Sequence, residues 1–231
     1  MEQQFRKNLA EVCGQIADAA KRSGRSEEDV LLVAVTKYVD VATTQELVRA
    51  GATCLGENRP QVLEEKASAL EQHEIEWHMI GNLQRNKIRR VLPHASLIHA
   101  LDRDSLVGAL AKEATTQDRV VRCLLEVNVS GEASKHGYAP AEVAAAIERI
   151  TALPSIHLEG LMCMASLAGN DDDARREFAA LREIRDAHAD VNAANIDLRE
   201  LSMGMSGDFE IAIEEGATIV RVGSALFRGV L

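Results

Sequence analysis

Repetition constrains this chain more than any single residue does: short apolar runs alternate with longer segments of helical period from one end to the other. Such alternation builds parallel sheets, because each helical crossover returns the chain to start the next strand in the same direction. The runs are Val30–Thr36, Thr53–Gly56, Trp77–Ile80, Ser96–Ala100, Val120–Asn128, His157–Met162, Arg199–Ser202 and Thr218–Val222, eight in all. Helix chemistry lies between them. Pro60 and Pro140 suit first-turn positions, Asp171–Asp173 precede a helical stretch over Ala174–Ala189, and Gly51 and Gly216 suit the left-handed residue that ends a helix. Ahead of the first run, Phe5, Leu9, Val12 and Ile16 form one apolar stripe, which predicts an additional N-terminal helix that plugs or flanks the sheet. Eight strands can also open into a doubly wound sheet, but the first run leads into Ala34-Val-Thr-Lys-Tyr38 and not into the Gly-x-Gly-x-x-Gly of a dinucleotide-binding turn. The expectation is an α/β fold, a single (β/α)8 TIM-type barrel occupying residues 1–231 as one domain.

Composition agrees with a branched-aliphatic barrel interior: 46% of the 231 residues are hydrophobic, yet only 3% are aromatic. A formal net charge of −10 argues against nucleic acid or anionic lipid as a partner. The densest basic stretch, Arg85, Lys87, Arg89 and Arg90, reads as a solvated helix face. Cys13, Cys54, Cys123 and Cys163 form no C-x-x-C pair and read as buried thiols. With neither a signal core nor a membrane-length apolar stretch, the sequence points to a reducing cytoplasm and no membrane.

Chemistry in such a barrel sits at the carboxyl ends of the strands, and Lys37 follows the first run directly. A lysine there marks the solvent boundary or serves as an imine-forming amine. The second role needs the neutral form, which at a reference pKa near 10.4 is about one molecule in a few thousand at neutral pH; burial against the apolar interior would raise that share. The segment Ser202-Met-Gly-Met-Ser-Gly-Asp-Phe209 after the seventh run offers small residues ahead of a helix over about 208–215, where an anion is favoured. Arg221-Val-Gly-Ser-Ala225 closes the eighth run, with Gly223 free to take positive φ. Loops after strands seven and eight of a barrel commonly hold phosphate. Taken separately each loop is also an ordinary turn, with Ser206 as a helix N-cap. A lysine opposite a phosphate cradle suits any phosphorylated carbonyl compound, so an aldolase acting through a lysine imine stays open on these features.

Several ordered motifs then match a known family. Leu32-Val-Ala-Val-Thr-Lys37, Gly56-Glu-Asn-Arg-Pro-Gln61, Trp77-His-Met-Ile-Gly-Asn-Leu-Gln84, Asn86-Lys87, Val127-Asn-Val-Ser130, Lys135-His-Gly137, Gly160-Leu-Met162, Leu201-Ser-Met-Gly-Met-Ser206 and Val220-Arg-Val-Gly223 span nearly the whole chain. In them the sequence resembles the pyridoxal phosphate homeostasis proteins, barrel relatives of the N-terminal domain of alanine racemase. The resemblance implies pyridoxal 5'-phosphate as cofactor, Lys37 as the residue that carries it covalently, and Ser206, Gly223 and Ser224 as phosphate holders. It puts Arg221 against the pyridine nitrogen, where a fixed guanidinium disfavours ring protonation, and Asn58 and His78 beside the ring. Met203 and Met205 pack near the phosphate loop in the same reading, or fill core. Gly207, Cys163 and the short tail Phe227–Leu231 depart from the family pattern without removing a proposed ligand.

The resemblance implies a carrier or regulator of the cofactor in the cell, with pyridoxal-phosphate-dependent enzymes as recipients and no catalysis of its own. An amino-acid racemase or decarboxylase is the alternative. Racemisation needs acid/base groups on both faces of the cofactor, and only Tyr38 and Tyr138 are present. Strand alternation would turn Tyr38 away from Lys37, whereas Tyr138 lies in a loop and stays open. Lys87 and Lys135 are further amines that an aldehyde could modify. A monomer is expected.

Overall fold

Eight parallel strands pair in sequence order and close on themselves in the computed structural model, which describes residues 1–166 and 169–230. The strands are β1 (Leu31–Val35), β2 (Cys54–Glu57), β3 (Glu76–Met79), β4 (Leu97–Leu101), β5 (Val121–Glu126), β6 (Ile156–Met162), β7 (Ile196–Ser202) and β8 (Ile219–Val222). β8 returns to β1, with Val33 opposite Arg221 and Ala34 opposite Val222. Around them run helices α1 (Glu2–Arg22), α2 (Val41–Arg49), α3 (Pro60–Ala69), α4 (Ile88–Val91), α5 (Asp104–Thr116), α6 (Val143–Thr151), α7 (Asp171–Ala187) and α8 (Phe209–Glu214). The barrel is as expected from the alternating runs, and the doubly wound alternative is gone.

Local chemistry sets most of these boundaries. α7 begins at Asp171 because Asn170 accepts from the Asp173 amide while the Asp173 carboxylate accepts from the Asn170 amide, a reciprocal cap that also places three acidic residues in the first turn. Pro60 opens α3, whereas Pro140 opens a 3-10 turn, Pro140–Glu142, that leads into α6. The basic stretch divides between a 3-10 turn, Arg85–Lys87, and the single turn of α4.

α1 flanks the barrel. Phe5 meets Phe227 edge to face at 5.4 Å, and Asn8 donates from Nδ2 to the carbonyls of Leu226 and Arg228, so the helix clamps the chain just after β8. Cys13 is exposed, contrary to expectation: one residue beyond buried Val12, it has rotated to the solvent side of α1. Cys54, Cys123 and Cys163 are buried.

The strands divide the core in two. Residues facing outward pack under the helices in one large cluster, while Val33, Cys54, Leu97, Ala100, Leu124, Met162 and Ile219 face inward with Ile80 against them. The inward faces also carry a polar file. Nε2 of His78 lies 3.2 Å from Glu76, Nδ1 of His78 lies 2.9 Å from Nε2 of His99, and Nδ1 of His99 lies 2.8 Å from the Ser202 hydroxyl. Arg221 ends the file, donating to Ser202 Oγ at 2.5 Å and to the Cys163 carbonyl at 2.9 Å. Burial foremost, then the neighbouring His78 and Arg221, holds His99 well below the ordinary imidazole value, so the file is built on a neutral ring.

Candidate functional site

Above the polar file, at the carboxyl ends of the strands, lies a cup of about 400 Å³. It brings together Lys37, Asn58, Ser206, Arg221, Gly223 and Ser224. Six of the eight residues expected at the site thus share one wall or another of the cup. Lys37 stands in the turn after β1, half-buried at the rim. Its Nζ is 4.8 Å from the centre of the Tyr38 ring. Tyr38 also lines the cup, contrary to the alternation argument, because both residues have left the strand for a turn where period two no longer applies. Tyr138 is buried outside the cup and donates its hydroxyl to Asp104 on α5 at 2.8 Å.

The turn that carries Lys37 is braced from below. Lys66 on α3, itself fully buried, donates to the Thr36 carbonyl at 2.8 Å and to the Glu57 carboxylate at 2.5 Å, and Thr36 Oγ1 donates to the same carboxylate oxygen at 2.6 Å. The ends of β1 and β2 are therefore fixed one residue before Lys37 and one before Asn58. Gly81 permits the close approach of the next loop, since a Cβ there would stand 2.4 Å from the Asn58 carbonyl oxygen. Asn58 keeps a buried Oδ1 without a hydrogen-bond partner among the described residues.

Across the cup, the Gly223 amide donates to Ser206 Oγ at 3.1 Å, joining the loops after β7 and β8. Gly223 has φ −119°, so its lack of a side chain serves the approach to Val35, whose Cβ would be 3.4 Å from an added Cβ, and not the positive φ expected. Positive φ occurs at Gly204, φ +91°, where an added Cβ would also stand 2.6 Å from that of Ala212. Asp208, not Ser206, precedes α8, and its carboxylate accepts from the Met205 amide at 2.5 Å. Ser206 is thereby left facing the cup. Since α8 spans only Phe209–Glu214, the cradle consists of loop amides and hydroxyls more than of a long helix terminus.

Two expected site residues fall elsewhere. His78 points inward one layer below the cup, because the residue that reaches the cup is Ile80, just past the end of β3 and two positions further along the same face. Its place is in the polar file. Met203 is fully buried in the outer core, and Met205 lines the cup instead.

Sequence reasoning missed Glu126. The carboxyl at the end of β5 lines the cup, and burial, reinforced by nearby Asp102, pushes its pKa up to about 7 even against the pull of Arg221. Arg221 is 5% exposed, and its guanidinium reaches the cup floor from β8 with both terminal nitrogens hydrogen-bonded. Beside the cup, Arg59, Lys87 and Arg103 line a second concavity that shares Asn58, Asn82 and His136 with it. Cations at that mouth would attract phosphate esters despite the net charge of −10.

A parallel barrel with an amine after β1, two loops after β7 and β8 joined through Ser206 and Gly223, and a buried guanidinium between them defines a class. The alanine racemase N-terminal domain family matches residues 13–229. An alanine racemase from Streptomyces lavendulae superposes with a TM-score of 0.76 at 17% identity over 98% of this chain and 57% of its own, a likeness of fold. At the sequence level, the chain is 41% identical over 219 residues to the pyridoxal phosphate homeostasis protein of Aquifex aeolicus, covering 95% of both. PipY of Synechococcus elongatus, solved with PLP bound, matches with a TM-score of 0.83 and 31% identity, covering 96% of this chain and 99% of that one. The chain belongs to the pyridoxal phosphate homeostasis protein family.

Proposed function

We propose that this protein binds pyridoxal 5'-phosphate in the cup through an imine bond to Lys37 and takes part in intracellular homeostasis of the cofactor as a carrier or regulator. The observation that carries the reading is the shared cup: Lys37, the Ser206–Gly223–Ser224 cradle and the Arg221 guanidinium line one cavity of about 400 Å³. Each group answers one part of the cofactor. The amine meets the aldehyde, the loop amide and hydroxyls meet the phosphate, and Arg221 takes the ring nitrogen. Bound to a protein, pyridoxal phosphate supplies an electron sink; a guanidinium held by Ser202 and the Cys163 carbonyl keeps the ring nitrogen unprotonated and limits that sink. Asn58, with its unpartnered Oδ1, is free to orient a polar ring substituent.

The non-catalytic reading rests on the aromatic hydroxyls. Tyr138 is committed to Asp104, and Tyr38 is 81% exposed at the rim, so neither is held as a fixed acid over the cup. A rim open to solvent suits exchange with recipient enzymes. We place the protein in the cytoplasm as a single-domain monomer over residues 1–231; among the described residues no helix is long and apolar enough to cross a membrane.

Borohydride reduction of the protein loaded with pyridoxal phosphate, followed by peptide mass spectrometry, tests the site. The expected result is one pyridoxyl group on Lys37, with the yellow colour lost in Lys37→Ala. Label on Lys87 or Lys135 with Lys37 unmodified would overturn the assignment, and a loaded protein that inverts single-enantiomer alanine would overturn the carrier role.

A further inference from the structure

The polar file that ends at Arg221 has a second end. At the amino-terminal mouth of the barrel, β2 and β3 begin with register partners Cys54 and Glu76, and His78 follows Glu76 on the same inward face. One donor atom from each of the three, the thiol sulfur, a carboxylate oxygen and an imidazole nitrogen, lies within 4.8 Å of the others. Cys54 is 4% and His78 1% exposed. His78 uses Nδ1 on His99, while its Nε2, 3.2 Å from Glu76 Oε1 and near enough to hold that carboxyl below its ordinary value, makes no well-aligned hydrogen bond among the described residues. A buried ring nitrogen so poorly served favours a ligand that engages it. Beside it opens a floor cavity of about 170 Å³, reached by both Glu76 and His78 and rimmed by Glu28, Asp29, Glu159 and Glu200.

We propose that Cys54, Glu76 and His78 form a binding site for one borderline-soft divalent cation of the Zn²⁺ type, its fourth position open to the floor cavity. The donor set selects this class: thiolate and imidazole disfavour Mg²⁺ and Ca²⁺, which take oxygen ligands, and a thiolate with a carboxylate balances a charge of two. Ligand atoms on a tetrahedral zinc ion stand about 3.3–3.8 Å apart, given its usual bond lengths, so the trio closes on an ion by a contraction of about 1 Å. Arg122, 3.7 Å from Glu76, spends its charge on Glu159 through bonds of 2.5 and 2.9 Å. On binding, the sulfur–metal bond replaces the Cys54 S–H bond and that proton passes to solvent through the cavity. The lone pair of His78 Nε2 goes to the ion, so the ring keeps its proton on Nδ1 and donates to His99, which in turn donates to Ser202. Occupancy thus sets the direction of the whole file up to the guanidinium. The site stands independently of the cofactor reading.

The test is a Co²⁺ titration of the chelator-treated full-length protein, read by the visible bands of four-coordinate cobalt and the near-ultraviolet thiolate-to-cobalt band. Both bands are expected to saturate at one equivalent, to disappear in Cys54→Ser, and to be unchanged in Cys13→Ser and in Lys37→Ala. Glu76→Gln, at a half-exposed position, keeps the test decisive should Cys54→Ser misfold; it is expected to weaken Co²⁺ about tenfold or more. Absence of the thiolate band, its persistence in Cys54→Ser, its loss in Cys13→Ser, or unaltered affinity in Glu76→Gln would each overturn the proposal.

Discussion

Glu126 places in the cup a carboxyl that titrates where the cell works. Its pKa is raised by burial from 4.5 to about 7, so the folded protein holds a proton there that the unfolded chain releases between those values. The favourable contribution is therefore complete below about pH 4.5 and is lost as pH rises towards 7, by at most about 3 kcal/mol. Glu126→Gln should remove this dependence. Urea unfolding of both proteins across the range gives a difference curve that slopes under this account; a flat one would refute it. The residue escaped sequence reading because a glutamate within the run Val120–Asn128 looks like any solvent-facing position, and only the inward turn of β5 reveals its surroundings. His78 shows the converse. The family resemblance put it beside the ring, yet the rise of a strand separates it from Ile80 by one layer, a distinction that residue type does not carry.

At the scale of elements, α3 is joined to the ends of β1 and β2 through Lys66, Glu57 and Thr36. Replacing one partner leaves the other charged, buried and unpaired. Lys66→Met should cost about 3–5 kcal/mol in denaturant unfolding, and adding Glu57→Gln should restore much of the loss. If the double variant is no more stable than the single one, the brace is misassigned. Helix ends were readable wherever side chains mark them, as at Asn170–Asp173, because capping is local chemistry. The start of β7 at Ile196 was not readable, since Asp197 and Arg199 interrupt its apolar pattern and its pairing with β6 shifts register between Leu158 and Gly160. Lys66 was equally hidden: a lysine in a helical pattern is assigned to water until the opposing carboxylate is known.

For the molecule as a whole, barrel closure was legible from the count and order of apolar runs, while the inward polar file was not, because it draws single residues from two strand pairs on opposite sides of the barrel. Saturating pyridoxal phosphate should stabilise the entire barrel by mass action, about 2.7 kcal/mol at a hundredfold excess over the dissociation constant. Thermal melts at rising cofactor concentration would show it, and an equal shift in Lys37→Ala would count against attachment through that amine. The closing pair of the barrel, β1 against β8, joins its first strand to its last. Lys37 follows the first of these strands, and Gly223 with Ser224 follows the last. A ligand gripped by both is a clasp across that seam, and a chain still emerging from the ribosome has only half of it. Loading would then report that the ring of strands is shut.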